Sequence, residues 1–454
     1  MGSIDGRSLR QSVPRSAHGT WSAPPDRPSA VDVVTSQNAA RLPWLVPVRH
    51  WRMAASPFTF YRGAAAVMAQ DLAHTPVTGI DGQICGDAHL SNFGLFGAPD
   101  RSIVFGLNDF DETLPGPWEW DVKRLAASFT IAARHNGLDE NHQRSLPATA
   151  TAAYRMAMRE VATMSHLDAW YLRVDEDDLG RLVEKGERKR ARKALDKVRS
   201  RDSRHVLGKL GEHVDGEFRI ASQPPLVVPL REWVSTLDPA ETEAAIREAF
   251  DAYLASVPDH IGVLLRRHRF VDLALKVVGV GSVGTRCFIV LLEDRATGDP
   301  LFLQVKEAGR SVLEDHLPAS GYESGSRRVV EGQRLMQTAS DIFLGHIHHD
   351  PTGHQYYWRQ FRDMKASAEV EDMGPSRLAR YAELCGETLA RSHARSADGR
   401  AIAAYLGASN AFDRAIAEFS MAYADQNEAD FAEFEAAIAE GRIDAHPADR
   451  PGGT

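Results

Sequence analysis

The strand-forming segments of this chain are concentrated in one stretch, and this distribution is the strongest restriction on its fold. Residues 271–280, 285–293 and 301–308 are rich in β-branched and apolar residues, and the turn-forming stretch DRATGDP separates the last two. A helical pattern over 325–337 and a second hairpin pattern over 342–361 follow. Short strands joined by turns predict a small antiparallel sheet accompanied by one helix. A sheet segregated from the helices is typical of an α+β fold.

Helical patterns dominate the chain on both sides of this segment. Residues 118–137 form an amphipathic pattern that ends at a glycine, residues 145–265 are mostly helical in pattern, and helices resume from about 375 to 440. The tails are rich in Gly, Pro and polar residues and lack an apolar run, which predicts disorder. We expect two lobes with flanking tails: a disordered tail at 1–39, a large lobe at 40–265, a small β lobe at 266–365, helices completing the large lobe at 366–440, and a disordered tail at 441–454.

Composition and charge exclude several classes of protein. The chain has 454 residues, a formal net charge of −9 and 43% hydrophobic residues, so it can bury a large core but has no overall attraction for nucleic acid. Its three cysteines (Cys85, Cys287 and Cys385) lack the spacing of a disulfide scaffold or a zinc module. No apolar run approaches the roughly 20 residues needed to span a bilayer. We expect a cytoplasmic protein without nucleic-acid or membrane partners.

A glycine-rich loop precedes the second predicted strand. Gly279, Gly281 and Gly284 form a G-x-G-x-x-G pattern, and Ser282 lies within it. A dinucleotide-binding loop of this pattern opens into a helix, whose N-terminus holds the pyrophosphate. Here the loop opens into the strand pattern TRCFIVLLE. This context favours a hairpin lid whose backbone N–H groups cover phosphates.

A lysine and a glutamate downstream could complete a nucleotide site. Lys306 lies on the next predicted strand, as a kinase-type lysine does. Such a lysine is held by a carboxylate on a helix, and Glu331 is the first candidate for this carboxylate, with Glu323 as the second. The competing explanation is an exposed strand lysine and an exposed helix glutamate.

Two clusters of polar residues lie early in the chain. Residues 86–94 read GDAHLSNFG, and residues 108–112 read NDFDE at the end of a β-rich run. Asp87 and Asn92 have the spacing of the catalytic-loop Asp and metal-binding Asn of kinases. Asp109 can supply a further oxygen ligand. Sparse carboxylate and amide oxygens, completed by water and phosphate, suit Mg²⁺.

These motifs resemble those of known families. GDAHLSN resembles the HGDxHxxN motif of aminoglycoside and choline phosphotransferases, within the protein-kinase-like superfamily, and NDFDE resembles their metal-binding aspartate motif. Asp121 in WEWDVKRLA resembles the aspartate that opens their next helix and supports the catalytic loop. The set FYRG, GDAHLSNFG, NDFDET, GPWEWD and LARSHARS also resembles a widespread bacterial family of unknown function, over about residues 40–440. The second resemblance is the more specific, but it implies no activity.

The kinase-like resemblance implies a role for each matching residue. Asp87 would be the catalytic base or would orient the nucleophile, and His89 would shape its loop. Asn92 and Asp109 would be metal ligands, and Asp111 is a rival to Asp109 for the metal.

The resemblance also assigns the nucleotide ligands of the later segment. Lys306 would reach the ATP phosphates, Glu331 would pair with Lys306, and the glycine loop would cover the nucleotide through Gly279, Gly281, Ser282 and Gly284. Cys85 replaces the motif's histidine, and NDFDE lacks the glycine of a DFG motif. The order of the parts is also reversed, because the catalytic loop precedes the glycine loop. We therefore expect a two-lobed protein-kinase-like fold that is circularly permuted, which is tolerable where the original termini are close.

The resulting expectation is an ATP- and Mg²⁺-dependent phosphotransferase that acts on a hydroxyl group, by analogy that of a small molecule, although a protein acceptor also fits. The same residues would also suit a nucleotide-binding regulator, AMP transfer at the same site, or a metallophosphoesterase that uses histidines of GHIHH at 345–349. The basic segment 185–204 is either a solvated helix or loop, or a contact surface for an anionic substrate or partner. His393 and Arg395 lie at a helix end, where positive charge suits the helix dipole, although a substrate contact is also open.

Overall fold

The computed structural model describes residues 4–182, 188–214, 216–233, 239–348, 353–361 and 364–447. These residues form a mixed α+β structure with antiparallel sheets, as the sequence predicts. The strands are β1 Asp81–Ile84, β2 Phe93–Gly97, β3 Ile103–Leu107, β4 Leu114–Pro117, β5 Val174–Asp175, β6 Gly211–Val214, β7 Glu217–Ile220, β8 Val227–Pro229, β9 His268–Lys276, β10 Cys287–Asp294, β11 Pro300–Glu307, β12 Gly345–Ile347, β13 Tyr356–Gln360 and β14 Ala366–Ser367.

The helices occur mainly before and after the largest sheet. They are α1 Leu9–Ser12, α2 Ala30–Ser36, α3 Val46–Met53, α4 Pro57–Gly63, α5 Ala65–Leu72, α6 Trp118–His135, α7 Glu140–Val161, α8 His166–Tyr171, α9 Glu176–Leu182, α10 Arg188–Arg199, α11 Ser203–Leu210, α12 Leu230–Trp233, α13 Pro239–Ser256, α14 Asp259–Leu265, α15 Gly325–Met336, α16 Pro375–His393, α17 Gly399–Leu406 and α18 Ala411–Ala439. In the part of the chain described here, no helix has both the length and the apolar character needed to cross a bilayer.

The largest sheet has six antiparallel strands in the order β12-β13-β11-β10-β9-β8. The three strands predicted over 271–308 and the hairpin predicted over 342–361 are confirmed as β9, β10, β11 and the β12–β13 pair. In the register of the central strands, Lys306 lies opposite Cys287 on one side and Tyr357 on the other. The helix predicted over 325–337 is confirmed as α15, and it begins where the Ser324 hydroxyl accepts a hydrogen bond from a helical N–H.

Both faces of this sheet are covered by elements that precede β9 in the chain. Leu301, Leu303 and Val305 pack against α13 and α14, and the opposite face packs against α11 and β7 through a second apolar cluster. We expected residues 40–265 to belong to the helical lobe, but β8 and α11–α14 join the small sheet instead. Helical periodicity predicted these helices, whereas it carries no information about the surface on which their apolar stripes pack.

The remaining helices form the larger core. Helices α6, α7, α16 and α18 pack together, and the predicted helix over 118–137 is confirmed as α6. Helices α7 and α16 approach so closely that a Cβ atom built on Gly386 would lie 2.0 Å from the Ala150 carbonyl oxygen. The strands β2 and β3, which flank the two polar clusters, pack on this helical core.

The prediction of a disordered tail over residues 1–39 is wrong for the described part of that range. Residues 4–39 include α1, α2 and a 3₁₀ turn, and they pack along α18. Val31 and Val34 are buried in one apolar cluster with residues of α18. Arg27 bonds Asp71 at 2.6 Å and Asp430 at 2.7 Å. The low apolar content of the segment predicts disorder. Its few apolar residues and Arg27 nevertheless contact residues of α18, about 400 positions later in the chain. Of the second tail, residues 441–447 contain no helix or strand, but they are not disordered: Ile443 packs on an apolar cluster, and the Asp444 carbonyl oxygen lies 2.7 Å from His50 Nδ1. Residues 448–454 lie outside the described range.

Candidate active site

Strand β1 leads into the GDAHLSN loop, which a buried aspartate supports. The Oδ2 atom of Asp121 accepts from the N–H of Cys85 at 2.7 Å, and its Oδ1 atom accepts from the N–H of Gly86 at 2.9 Å. Gly86 has a φ of +80°, which favours glycine, and a Cβ atom there would lie 2.5 Å from the carbonyl oxygen of Glu112. Asp121 therefore fixes the start of the loop, which agrees with the structural role expected for it.

His393 ends α16, as predicted, but it is buried and is part of this support. Its Nε2 atom lies 3.1 Å from Asp121 Oδ2, and its Nδ1 atom lies 2.9 Å from the hydroxyl of Tyr154. A Tyr O–H donated to Nδ1 leaves the proton on Nε2, where it can be donated to Asp121. Arg395 points elsewhere, with its guanidinium 3.7 Å from the ring centroid of Trp170.

Asp87 is held by a cation that the sequence motifs did not indicate. Arg124 donates to Asp87 Oδ1 through Nε at 3.0 Å and Nη2 at 2.7 Å. Its guanidinium also lies 4.0 Å from the ring centroid of Tyr61. Because Arg124 follows Asp121 by three residues on α6, both side chains face the same loop. That spacing is the signal from which Arg124 could have been found.

His89 lies beside Asp87 as a neutral group. Its Nε2 atom is 3.8 Å from Asp87 Oδ2, and its Nδ1 atom accepts from the N–H of Ser91 at 3.2 Å. Burial lowers the pKa of His89 to about 4, despite the neighbouring charge of Asp87. His89 therefore shapes the loop without carrying a charge at neutral pH.

Lys306 and the NDFDE segment meet although 195 residues or more separate them in sequence. The Nζ atom of Lys306 is 3.2 Å from Asp109 Oδ1 and 2.5 Å from Asp111 Oδ2. The Tyr357 hydroxyl donates to Asp111 Oδ1 at 2.6 Å. The side chain of Lys306 is 3% exposed, and those of Asp109 and Asp111 are 32% and 27% exposed. The lysine therefore lies behind two carboxylates that face open space.

The charges of this cluster shift its pKa values in opposite directions. Burial opposes ionisation of Asp109, but the charges of Lys306, Arg359 and Lys365 outweigh burial and lower its pKa. Burial and the charge of Asp109 raise the pKa of Asp111. Burial disfavours the charged form of Lys306, yet the two carboxylates raise its pKa well above the ordinary value. Asp109 is thus the carboxylate that stays ionised most firmly.

The expected contact between Glu331 and Lys306 is absent among the described residues. Glu331 pairs with Arg334 at 2.9 Å on the same helix, and the second candidate, Glu323, pairs with Arg327 at 2.8 Å. Instead, Arg328 of α15 faces the NDFDE segment and donates to the carbonyl oxygens of Thr113 and Asp111 at 2.5 and 2.8 Å. The carboxylates that pair with Lys306 are those of Asp109 and Asp111, and the predicted Glu331–Lys306 pair is not formed in this structure.

The glycine loop is held from the N-terminal helices. Gly279 and Gly284 have φ values of +68° and +93°, as a tight loop requires. Arg41 donates to the carbonyl oxygen of Gly281 at 2.9 Å, and Arg52 donates to that of Gly279 at 2.6 Å. The loop is therefore pinned against residues 41–63 through its carbonyl groups.

A cavity of about 530 Å³ connects these parts. Six of the predicted site residues line it: Asp87, Asn92, Asp109, Asp111, Gly281 and Ser282. Four other predicted residues do not line the cavity, but each contacts or adjoins a loop that does: His89, Gly279, Gly284 and Lys306. The lining also includes Arg41, Arg49 and Glu112, which were not predicted, and Arg62 of the FYRG motif, for which core-edge packing and an active-site brace were the two interpretations. The site therefore combines carboxylates with arginines around one space.

Glu112 closes one side of this cavity. It accepts from the N–H of Val312 at 2.8 Å and from the hydroxyl of Ser311 at 3.2 Å. Burial raises the pKa of Glu112, and the charge of Asp111 adds to this effect. Glu112 was not predicted because the metal ligands expected from NDFDE are its aspartates.

The two described histidines of GHIHH, His346 and His348, are outside this cavity. The rings of His346 and His348 are 5.4 Å apart, and His348 contacts Glu323 at 2.8 Å. The third histidine of the motif, at position 349, lies outside the described residues. No group of three or more His, Cys, Asp or Glu residues is arranged to bind a metal ion in the described part of the chain.

The described part of the basic segment also lies apart from the cavity. Its residues 185–187 are outside the described range, and the rest forms α10, the start of α11 and their connection. Val198 is buried against Ile103 and Met364, and Arg199 and Arg204 pair with Glu176 and Asp299. This arrangement agrees with a solvated helix that has one buried face.

Comparison with known proteins identifies the family. A family model described as "Uncharacterized protein conserved in bacteria (DUF2252)" matches residues 41–437, so the chain belongs to this family. Neither the curated proteins nor the solved structures include a match to this chain.

Proposed function

We propose that the protein is an ATP- and Mg²⁺-dependent phosphotransferase of the kinase-like type that acts on a hydroxyl group of a small molecule. The main support is that Lys306 meets Asp109 and Asp111 beside the Asp87 loop and the glycine loop. A cavity of about 530 Å³ is within the usual range of small-molecule sites. A strand lysine, a glycine loop, a catalytic-loop aspartate and a metal-ligand aspartate are the parts that phosphoryl transfer requires.

The donor groups of the cavity fit Mg²⁺. Asp109 and Asp111 offer carboxylate oxygens, and both line the cavity. Asn92 donates through Nδ2 to the carbonyl oxygen of Asp87 at 2.6 Å, so its Oδ1 atom remains an acceptor. Hard oxygen ligands of this kind, supplemented by water and phosphate, are what Mg²⁺ prefers. When bound, the ion would neutralise and orient phosphate oxygens.

The protein's own groups would position the acceptor. Arg124 fixes Asp87 through one carboxylate oxygen, which leaves Oδ2 to accept a hydrogen bond from an acceptor hydroxyl. Because two hydrogen bonds from Arg124 fix the orientation of this carboxylate, we assign Asp87 the role of orienting the nucleophile and taking its proton late in the transfer. Neutral His89 and the Asp121–His393 pair keep this loop in place.

We also propose that the kinase-like lobes are circularly permuted. A permuted chain should keep the two sides of the broken connection close together. Helix α16 follows the small sheet, and just beyond its end the hydroxyl of Ser396 accepts from the N–H of Gln83 in β1 at 2.8 Å. A Cβ atom on Gly82 would lie 2.6 Å from that of Ala397. A short link at this point would give the order small sheet, α16, β1 and catalytic loop.

The test compares Asp87→Asn and Asp109→Asn with wild type in Mg²⁺-ATP binding, by calorimetry, and in release of γ-phosphate. Asp87→Asn should retain nucleotide binding and lose turnover about a hundredfold or more, because the orienting carboxylate is gone. Asp109→Asn should lose the Mg²⁺-dependent part of nucleotide binding. Asp425→Asn, an exposed surface change, is the matched control. Wild-type behaviour of both site variants would refute the proposal.

The competing functions are separated by the same measurements. Transfer of AMP would release pyrophosphate and label the product from the α-phosphate. A nucleotide-binding regulator would bind ATP without turnover. A metallophosphoesterase would hydrolyse phosphate esters without ATP, but the separation of His346 and His348 from the carboxylate cavity gives it less support.

A further inference from the structure

One side of the cavity contains buried donors without acceptors. Among the described residues, the Nε atoms of Arg41, Arg49 and Arg62 and the Nε2 atom of Gln70 have no hydrogen-bond partner within the protein. All four residues line the cavity, and we call this set the arginine face. Buried polar groups are normally paired, so four N–H donors around one space indicate a missing acceptor.

The arginines of this face also lack acidic partners among the residues that the structure describes. Arg49 is fully buried and donates to neutral oxygens, including the Gln37 side chain at 2.6 Å. Arg41 donates to the carbonyl oxygens of Gly281 and Val283. In the same part of the chain, the Arg62 guanidinium has neither a hydrogen bond nor an ion pair, and it lies 5.8 Å from the ring centroid of Phe58.

Burial of these cations is unfavourable without an anion. Burial lowers the pKa of Arg41 to about 10, and it also lowers that of Arg62, although Glu371 and Asp87 partly oppose the effect. A buried charge normally has a partner of opposite sign. Elsewhere the chain supplies such partners, as Arg155 shows with Asp413 at 2.8 Å. Arg328 and Arg395 also donate to carbonyl oxygens and not to carboxylates, but neither lines the cavity. The arginine face differs from them because its free donors lie around one space.

The position of Lys306 explains why the cavity would need the arginines to bind an anion. Lys306 is buried and bound to two carboxylates, and four carboxylates line the cavity, those of Asp87, Asp109, Asp111 and Glu112. An anionic ligand would be repelled by these groups unless another cation faced it. Guanidinium groups bind phosphate oxygens through two parallel N–H donors, and Gln70 adds a neutral donor.

We propose that the arginine face binds phosphate groups of the substrate and supplies the charge that the strand lysine supplies in kinase-like enzymes. This inference rests on the proposed function, and it names the ligand chemistry as a phosphate or polyphosphate chain. Two sources share that chemistry, the nucleotide and a phosphorylated acceptor. Lys306 is then an internal organiser of Asp109 and Asp111, and Arg62 is a phosphate ligand.

The experiment is calorimetric titration of the full chain with pyrophosphate, without Mg²⁺. Wild type should bind pyrophosphate, and Arg62→Gln should bind it about tenfold or more weakly, because one charged hydrogen-bonded contact is lost. Arg62→Lys should recover part of the affinity. Arg144→Gln, which removes an exposed arginine of α7, is the matched control and should bind as wild type does.

Two further variants separate this inference from the phosphotransferase proposal. Gln70→Leu removes a donor without changing charge and should weaken pyrophosphate binding severalfold, which keeps the test open if Arg62→Gln fails to fold. Asp109→Asn should bind metal-free pyrophosphate at least as tightly as wild type, since a repelling charge is removed. Binding that depends on Arg62 would support the arginine face even if the protein released no γ-phosphate.

Competition with ATP identifies the source of the phosphate. Displacement of pyrophosphate by ATP, with weaker ATP binding in Arg62→Gln, would assign the face to the nucleotide. Simultaneous binding of ATP and pyrophosphate would assign it to a phosphorylated acceptor, and both results support the inference. No pyrophosphate binding by wild type at millimolar concentration, or equal affinity in Arg62→Gln and Arg144→Gln, would overturn it.

Discussion

Replacement of Lys306 by methionine would leave two carboxylates without the ammonium group between them. Its Nζ atom is 3.2 Å from Asp109 Oδ1 and 2.5 Å from Asp111 Oδ2, so these oxygens are no more than about 5.7 Å apart. At an effective dielectric constant near 20, two unit charges at that distance repel by about 3 kcal/mol. Removing one partner of a buried ion pair typically costs about 3–5 kcal/mol. We therefore expect the free energy of unfolding of Lys306→Met near pH 8 to be about 3–5 kcal/mol lower than that of wild type.

The loss should depend on pH in a defined direction. In wild type the raised pKa of Lys306 means that its stabilising contribution is fully present below the ordinary lysine value and is lost only as pH rises through the folded-state pKa. In Lys306→Met, the pKa of Asp111 is raised further because the neighbouring cation is gone. A carboxyl group whose pKa is higher in the folded than in the unfolded protein becomes destabilising as pH rises between these values. The variant should therefore be closer to wild type near pH 5 than near pH 8.

Urea unfolding followed by circular dichroism at the two pH values measures this difference. Lys197→Met, at an exposed position of α10, should change stability little at either pH. Adding Asp111→Asn to Lys306→Met should recover much of the loss near pH 8, because only one carboxylate remains. Equal losses for the two lysine variants, or a loss that is independent of pH and of Asp111, would refute the assignment of this cluster.

Two further predictions concern the supports of the site. In Asp121→Asn, at least one of the two buried backbone N–H groups would face an amide N–H, so the free energy of unfolding should fall by about 2–3 kcal/mol. Urea unfolding measures this loss, with the exposed variant Asp425→Asn as the control. Similar stability of the two variants would contradict the role of Asp121. In Gly386→Ala, the new Cβ atom would lie 2.0 Å from the carbonyl oxygen of Ala150, so α7 and α16 must move apart. The free energy of unfolding should fall by about 1–3 kcal/mol in the same assay. Gly208→Ala, where the space is open, should be neutral or stabilising, and an equal effect at both glycines would count against close helix contact.

The sequence predicted the parts of the fold that depend on local pattern. The strands β9–β11 were predictable because β-branched runs end at turn residues, and α6 was predictable from its apolar periodicity. Pairing over long distances was not. Lys306 was expected beside Glu331, but a strand pattern fixes the face of a side chain and leaves its partner open. Arg62 belongs to the FYRG motif, yet its lack of an acidic partner among the described residues is visible only in the folded chain.

The packing of α2 on α18 joins part of the cavity lining to a late segment of the chain. Helix α2 contributes Val33 and Ser36 to the cavity and packs on α18, near the far end of the described chain. The N-terminal residues leave the ribosome first, so α2 can pack in its final position only after α18 has been synthesised. We therefore expect a nascent chain that lacks α18 to hold the carboxylates of the site without the part of the cavity lining that α2 supplies.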